Sequence, residues 1–481
     1  MPKRRSKATT TTADVAWSRA EQFAAGAITV VLLFMDFSIR IRSAVNKTID
    51  FQVMIKIAIW LIAAAWVAAN YKKIIPLLNR VSIAWILLFG WMGVTALYSP
   101  APLLTLTSGV SMILMVLLWL GAANTLGERK LVHVMFWAMV IFCAASMIYW
   151  LIDPNMAQKS VRLHGVRVFT NRLQGLTGQP NALGRTAAFA ALLGVLYFDS
   201  FKRKISWFAL IPIGIALVTL FVTQSRTSAL AFMIAGIFFF SLRSGRRWAI
   251  PALAVAAALA ALVIVPNFES LAMSVARTGD PTEIYTATNR IYIWHLVAWM
   301  IQQRPLIGWG YNTAAYHLAA YSKEVSPELG SYVPPNAHNA YLEVAFAGGI
   351  IALLLFLVAA AVNAWSLIKH RHQRGQALMI FWFVTSFTEV AGFTGVVSTS
   401  TVTMILPMAL AALAESRMDT KRPRRRRVQA RASGEGAAEA ETELEPAMSA
   451  GSVAPMDLDS EPPPPPGAAK SKGAINIHDI G

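Results

Sequence analysis

The feature that most constrains this chain is its succession of long apolar runs. A helix that crosses the hydrocarbon core of a bilayer needs about 20 mostly apolar residues. So many runs of this length could not share the core of one soluble protein. The sequence therefore predicts an all-α polytopic membrane protein with about 12 transmembrane helices. The predicted spans are 22–39, 51–70, 82–98, 102–124, 131–152, 181–199, 205–223, 227–242, 248–265, 340–366, 376–391 and 396–414.

Composition excludes several other classes of protein. Only 14% of the residues are charged, against about 25% in soluble domains. The formal net charge is nevertheless +18. A nucleic-acid partner is not expected, because basic patches for nucleic acids lie on polar globular surfaces. The single cysteine, Cys143, excludes an intrachain disulfide and a cysteine-rich metal site.

Basic residues follow every second predicted span. Cytoplasmic loops of membrane proteins carry an excess of Lys and Arg, so both termini are predicted to face the cytoplasm. The helix number and the charge parity agree on this topology. The basic segments lie within 3–7, 72–80, 129–130, 202–204, 243–247, 369–374 and 421–427.

The predicted chain has three parts. Residues 1–21 form a cytoplasmic arm, 22–416 the transmembrane domain, and 417–481 a disordered cytoplasmic tail that contains an arginine run, Ala/Gly/Glu-rich sequence and the prolines 462–466. The arginine run of the tail is either a solvated stop-transfer cluster or a contact with anionic membrane lipids. Two loops on the outer side are long, 153–180 and 266–339.

Several arginines lie on the predicted outer side, where the charge rule disfavours them, and four of these are candidate site residues. Arg172 belongs to the first long loop and Arg290 to the second, while Arg226 lies at the outer boundary. Arg185 is one turn inside a predicted span, on the helix face of Asn181. A charge at that depth usually faces a cavity, and a planar guanidinium suits phosphate. Anchoring to lipid headgroups is the alternative for Arg185 and Arg226.

A glycine-punctuated loop, residues 172–184, leads into the helix of Arg185. Gly175 and Gly178 permit positive φ and a close approach of the backbone. The start of the following helix could offer free N–H groups to an anion. An ordinary turn with Asn181 as the N-cap fits the same residues.

His338 ends the second long loop, beside two prolines and at the start of a predicted helix. A neutral imidazole there could accept a proton. Asn339 is predicted to cap the helix, and Tyr341 and Glu343 in its first turn could orient the imidazole. An ordinary polar loop residue is the alternative for His338.

The acidic residues do not indicate a metal site. The Asp-x-Asp of the chain, Asp457-Leu458-Asp459, lies in the predicted cytoplasmic tail, and the outer loops hold only scattered acids. No Walker loop or other nucleotide motif occurs in the sequence. We therefore expect neither a metal nor a cofactor.

Several of these segments resemble the bacterial O-antigen ligase and polymerase family. The ligase pattern is His, then Asn, Ser or Gln, nine residues, Gly, two residues, and Gly, Thr or Tyr. His338, Asn339 and Gly349 fit it, whereas Ala352 departs from it. The segments that carry the resemblance are 175–184, 224–227, 289–294, 304–310 and 338–339.

The polymerase pattern fits less well. It has an Arg and a Gly separated by ten residues in each of the two long loops. Arg167 and Gly178 meet it in the first loop. No Gly follows Arg277, Arg290 or Arg304 at that spacing, so the ligase is favoured.

The resemblance implies a GT-C-like membrane glycosyltransferase of the bacterial inner membrane with a periplasmic active site. The donor would be a polysaccharide on undecaprenyl pyrophosphate, and the acceptor a sugar hydroxyl of lipid A–core. The transfer would be metal-independent and inverting, with His338 as general base. The pyrophosphate ligands would be Arg172, Arg185, Arg226 and Arg290, supported by Asn181, Asn339, Tyr341 and Glu343.

Three other functions remain open at this point. An O-antigen polymerase would lengthen the chain on its carrier, and a protein O-glycosyl ligase would use a protein hydroxyl as acceptor. A transporter of lipid-linked oligosaccharides belongs to a different class. It needs sites reachable from both sides of the membrane, whereas the candidate residues concentrate on one side.

Overall fold

The computed structural model describes residues 16–37, 51–163, 166–198, 210–245, 290–329, 332–390, 392–393 and 399–419. These residues are almost all helical, as the sequence predicts. The early part of the predicted N-terminal arm, the predicted span 248–265 and most of the predicted tail lie outside them. The helices are α1 (Arg19–Leu33), α2 (Phe51–Ala69), α3 (Tyr71–Ile74), α4 (Arg80–Val94), α5 (Pro102–Ile152), α6 (Pro154–Ala157), α7 (Pro180–Leu196), α8 (Leu210–Thr223), α9 (Arg226–Arg243), α10 (Arg290–Gln303), α11 (Ala314–Val325), α12 (Ala340–Lys369), α13 (Gln373–Ser386) and α14 (Thr399–Asp419).

The chain is a multi-pass membrane protein. Among the described residues, 5 helices are long and apolar enough to cross a membrane, or up to 6 if a pair bent by 66° at Asn70 counts as one span. Twelve spans are therefore not confirmed. Most other predicted spans coincide with shorter helices, namely α1, α7, α8 and α13.

Helix α5 contains two of the predicted spans. Its 51 residues would extend about 76 Å at 1.5 Å per residue, far more than the hydrocarbon thickness of about 30 Å. Gly127 leaves helical geometry, with φ 71° and ψ 160°. The break divides α5 into halves that correspond to the predicted spans 102–124 and 131–152.

The first of the two long predicted loops, 153–180, corrects the expectation of an all-α chain. It contains an antiparallel hairpin of β1 (Gln158–Leu163) and β2 (Val166–Leu173), in which Val161 pairs with Val168. Valine and threonine recur along this stretch at the two-residue period of a strand. The apolar runs of the spans dominate the sequence pattern, and this short alternating segment was predicted as loop.

Helix α7 is buried on nearly all sides. A helix that is apolar all round occupies the centre of a helical protein, and Phe189 in its middle is fully buried. At Gly194 an added Cβ would lie 2.6 Å from Ile213 of α8, so the two backbones approach closely. The first two turns of this central helix carry Asn181 and Arg185, so the packing of α7 fixes the positions of both residues.

Helix α12 is broken at Gly348 and Gly349. A break frees backbone carbonyl groups, which need new donors when buried. Two of the three donors belong to the segment 304–310, which therefore fixes the broken region. The pairs are Trp309 N to Phe346 O at 2.8 Å, Gly310 N to Ala347 O at 2.9 Å, and Trp91 Nε1 to Gly348 O at 3.0 Å.

We expect the variant Gly349→Ala to be strongly destabilised. Gly349 has φ 69° and ψ −164°, a region that only glycine populates readily. An added Cβ would lie 2.1 Å from the carbonyl oxygen of Leu306. The free energy of unfolding should fall by about 2 kcal/mol or more, seen as a lower thermal midpoint in detergent. Gly90→Ala in α4, where a Cβ meets nothing within 4 Å, should cause no fall; equal losses would contradict the assignment.

Polar side chains gather at both ends of α7. At its start, Asn181 donates to Glu389 at 3.0 Å. At its end, the hydroxyl of Tyr197 donates to Glu128 at 2.8 Å. The two clusters are separated by the length of the helix, about 25 Å. They define two polar ends of the bundle, named here the Glu389 end and the Glu128 end.

Candidate functional site

The carboxylate of Glu389 brings three predicted site residues together. Arg290 Nη2 donates to Oε1 at 2.8 Å, and Asn181 Nδ2 donates to the same oxygen at 3.0 Å. The Nδ1 atom of His338 lies 3.6 Å from Oε2, slightly longer than a hydrogen bond. The side chains of Arg290 and Glu389 are each 15% exposed and that of His338 is 19% exposed, so substrate could reach the cluster.

Arg172 joins the cluster through Asn181. It lies at the end of β2, and its Nη2 donates to Asn181 Oδ1 at 2.8 Å while Nε donates to the carbonyl oxygen of Thr223 at 3.1 Å. The positive charge of Arg172 also acts on Lys159 of β1. Burial, together with the positive charge of Arg172, lowers the pKa of Lys159. The hairpin therefore brings cationic side chains to the start of α7.

Arg185 is buried one turn further along α7. Only 6% of the residue is exposed, and its Nη2 donates to the hydroxyl of Ser400 in α14. Within the described part of the chain its Nε atom has no hydrogen-bond partner. The predicted helix face shared by Asn181 and Arg185 is confirmed, since the charge of Arg185 also acts on Glu389.

The backbone around His338 is held in an unusual conformation. His338 has φ 48°, which is uncommon for a residue other than glycine. Its N–H donates to Asn336 Oδ1 at 2.9 Å. The preceding residue, Ala337, donates its N–H to Glu343 at 2.8 Å and accepts from Trp294 Nε1 at 3.1 Å. These bonds join α10 to α12 and fix the imidazole beside Arg290.

The other residues predicted around His338 have different partners. Asn339 caps α12 as predicted, accepting from the N–H groups of Tyr341 and Leu342. Glu343 accepts a hydrogen bond from the backbone N–H of Ala337 and not from the imidazole of His338. The ring of Tyr341 packs against Phe387, with ring centroids 5.1 Å apart. The geometry therefore does not give Tyr341 and Glu343 the direct orienting contact that the sequence suggested.

Arg226 lies at the edge of this region. It is the exposed first residue of α9 and lines a surface groove whose walls include Leu217 and Phe221 of α8. The next residue, Thr227, has its hydroxyl 3.0 Å from that of Thr388. Arg226 is thus one residue away from a contact with the segment that carries Glu389.

Glu389 is ionised at neutral pH. It follows the end of α13 at Ser386, so it lies beyond the helix that the sequence extended to residue 391. Burial alone would raise the pKa of its carboxyl group. His338 and the positive charges of Arg290 and Arg185 outweigh burial and lower that pKa from 4.5 to about 2. The three guanidinium groups near this one carboxylate leave a positive site, suited to an anion that carries more than one charge.

Glu389 is the site residue that sequence reasoning missed. It falls inside the predicted span 376–391, and no motif surrounds it. Its partner Asn181 is 208 positions away, a separation that a local pattern cannot reveal. The available signal was an acid on the predicted outer side that could pair with arginines retained there.

Comparison with known proteins adds an independent result. Residues 211–357 match the family described as O-antigen ligase. The matched region contains Arg226, Arg290 and His338, whereas Arg172 and Glu389 lie outside it. The resemblance stated from the sequence is confirmed by this match.

Two curated relatives are similar over part of their length. A Rickettsia felis protein named "Putative polysaccharide ligase" is 28% identical over 170 residues, covering 34% of this chain and 40% of the relative. A Rickettsia conorii protein with the same description is 29% identical over 150 residues, covering 30% of this chain and 35% of the relative. The aligned parts span less than half of each relative.

Proposed function

We propose that this protein is a member of the O-antigen ligase family and a membrane glycosyltransferase that acts at the Glu389 end of the bundle. The donor is a polysaccharide linked to undecaprenyl pyrophosphate, and the acceptor is a sugar hydroxyl of lipid A–core. The site faces the periplasm of a bacterial inner membrane. The observation that carries the proposal is the convergence of His338 and Arg290, both within the matched region, on one partly buried carboxylate.

The arginines are proposed to bind the pyrophosphate. As the glycosidic bond breaks, negative charge develops on the leaving phosphate oxygen, and an arginine is permanently charged. Arg290 uses Nη2 for Glu389, and a guanidinium has five N–H donors, so it retains donors for phosphate. Arg172 reaches the cluster through Asn181, the charge of Arg185 acts on Glu389, and Arg226 lines the groove formed by α8 and α9.

His338 is proposed as the general base. It removes the proton of the acceptor hydroxyl, the hydroxyl oxygen bonds to the anomeric carbon, and the electron pair of the broken bond leaves with the pyrophosphate. This single displacement inverts the anomeric carbon. Glu389 faces Nδ1, so a hydrogen on Nδ1 leaves Nε2 as the proton acceptor. Such contacts commonly shorten when substrate binds.

Purified protein tests the transfer directly. We expect the full chain in detergent to move polysaccharide from undecaprenyl pyrophosphate to rough lipopolysaccharide, with an unchanged rate in EDTA. Appearance of the joined product on a gel is the measurement. Lengthening of the lipid-linked donor without use of the acceptor would instead identify a polymerase. Activity confined to sealed vesicles, with no joined product in detergent, would favour a transporter.

A further inference from the structure

A groove lies between α1 and the part of α5 around the break at Gly127, at the Glu128 end of the bundle. Phe23, Ala27 and Val30 line it on α1, and Leu126 and Val134 line it on α5. Phe23, Ala27 and Val30 recur at helical spacing, so α1 turns an apolar face toward the groove. Helix α5 adds one apolar residue on each side of its break at Gly127. The groove has the shape and polarity to accept a hydrocarbon chain.

Basic residues stand along the α5 side of the groove. Arg129, Lys130 and His133 also line the groove, in the first turns of α5 after the break at Gly127, and the first two are exposed. His133 Nδ1 lies 2.7 Å from the carbonyl oxygen of Arg129. The carbonyl can only accept, so Nδ1 carries a hydrogen. A polar, positive margin therefore adjoins the apolar walls.

The two acidic residues that lie close to the groove-lining residues in sequence, Glu21 and Glu128, contact side chains outside the groove. Glu21, at the start of α1, pairs with Lys73 at 2.7 Å. Glu128, which precedes Arg129, accepts from Tyr197 at 2.8 Å and contacts His372 Nε2 at 3.2 Å. Neither acid forms an ion pair with Arg129 or Lys130 among the described residues. The margin of the groove thus keeps a positive charge that an anion can neutralise.

We propose that this groove binds one anionic phospholipid, with an acyl chain along the apolar walls and the phosphate at Arg129 and Lys130. Basic pockets between transmembrane helices suit such headgroups. An apolar wall and a charged margin match the two parts of a phospholipid. The site is distinct from the Glu389 end, and the proposal does not depend on the proposed glycosyl transfer.

Gly26 supplies a way to fill the groove without disturbing the fold. It lines the groove on α1, and an added Cβ would meet no heavy atom within 4 Å. Leucine is also a better helix former than glycine. The variant Gly26→Leu should therefore occupy the space of the acyl chain while leaving the basic residues in place. Gly236→Leu in α9 is a matched control, because its Cβ would also meet nothing within 4 Å.

Lipid binding to the purified full chain tests the proposal. Phosphatidylglycerol or phosphatidylcholine with the same acyl chains is titrated into protein in neutral detergent, and retained lipid is measured by native mass spectrometry. We expect the wild type to retain phosphatidylglycerol in preference to phosphatidylcholine. Each of Arg129→Gln and Lys130→Gln should weaken retention about fivefold, and the double variant about 25-fold. Lys72→Gln is the matched charge control and should retain the lipid as the wild type does.

Gly26→Leu should lose most of the retained phosphatidylglycerol, and Arg129→Lys should keep it. The single variants carry the test if the double variant does not fold. Equal retention of the two lipids by the wild type would overturn the proposal. So would normal retention by Gly26→Leu, or an equal loss in Lys72→Gln. Complete competition by inorganic phosphate would identify a simple anion site and would also overturn it.

Discussion

Replacement of His338 by Ala is expected to reduce polysaccharide transfer by about 10²- to 10⁴-fold, the usual contribution of a general base. The acceptor hydroxyl would then have to lose its proton without a positioned group. The initial rate of joined product formation, at saturating donor and acceptor, measures the effect. The loss should fall mainly on kcat, because the arginines that hold the pyrophosphate remain in place.

Two further variants separate chemistry from folding. His338 has φ 48°, and Asn adopts this conformation more easily than Ala. His338→Asn should therefore keep the fold and still lose activity. His295→Ala is a matched control, since His295 is an exposed histidine of α10. Wild-type activity of His338→Asn at a normal protein level would refute the base assignment.

Replacement of Glu389 is expected to impair the site although Glu389 itself is not proposed to react. Glu389→Gln should lower kcat by about 10- to 100-fold, the usual effect of losing a group that orients a reacting side chain. Gln can still accept from Arg290 and Asn181, but it gives His338 no negative partner. Glu389→Ala should lose more, because it also frees Arg290.

The pH dependence distinguishes positioning from a purely structural role. Glu389→Gln removes the negative charge 3.6 Å from His338 Nδ1, so it should alter the pH profile of the rate. Glu324→Gln, at an exposed position of α11, should leave the profile unchanged. An unaltered profile in Glu389→Gln would show that the carboxylate does not act on His338.

The same carboxylate makes stability depend on pH in a defined direction. The pKa of Glu389 is lowered from 4.5 to about 2. The stabilisation is therefore fully present above pH 4.5 and is lost as the pH falls toward 2. Near neutral pH the pair with Arg290 is intact, and changes of activity there do not arise from titration of Glu389.

Local patterns predicted what depends on local physics. The apolar runs located most helices, because the length of a span is a property of one segment. The positive charges of Arg172, Arg185 and Arg290 marked them as candidate site residues, because a charge in or beside a membrane span is costly and usually has a function. Glu389 and the joining of Arg172 to Asn181 could not be predicted, since they depend on how distant helices pack. The hairpin was missed because its alternation is short.

The spacing between His338 and Gly349 also follows from the break in α12. After Gly349, residues 350–369 extend about 30 Å, the thickness of the hydrocarbon core. Before it, residues 340–348 add about 13 Å. One residue more or fewer in this part would raise or lower the imidazole by about 1.5 Å and turn it by about 100° around the helix axis. The nine residues between Asn339 and Gly349 thus act as a spacer of fixed length and phase, which sets both the height and the direction of the imidazole.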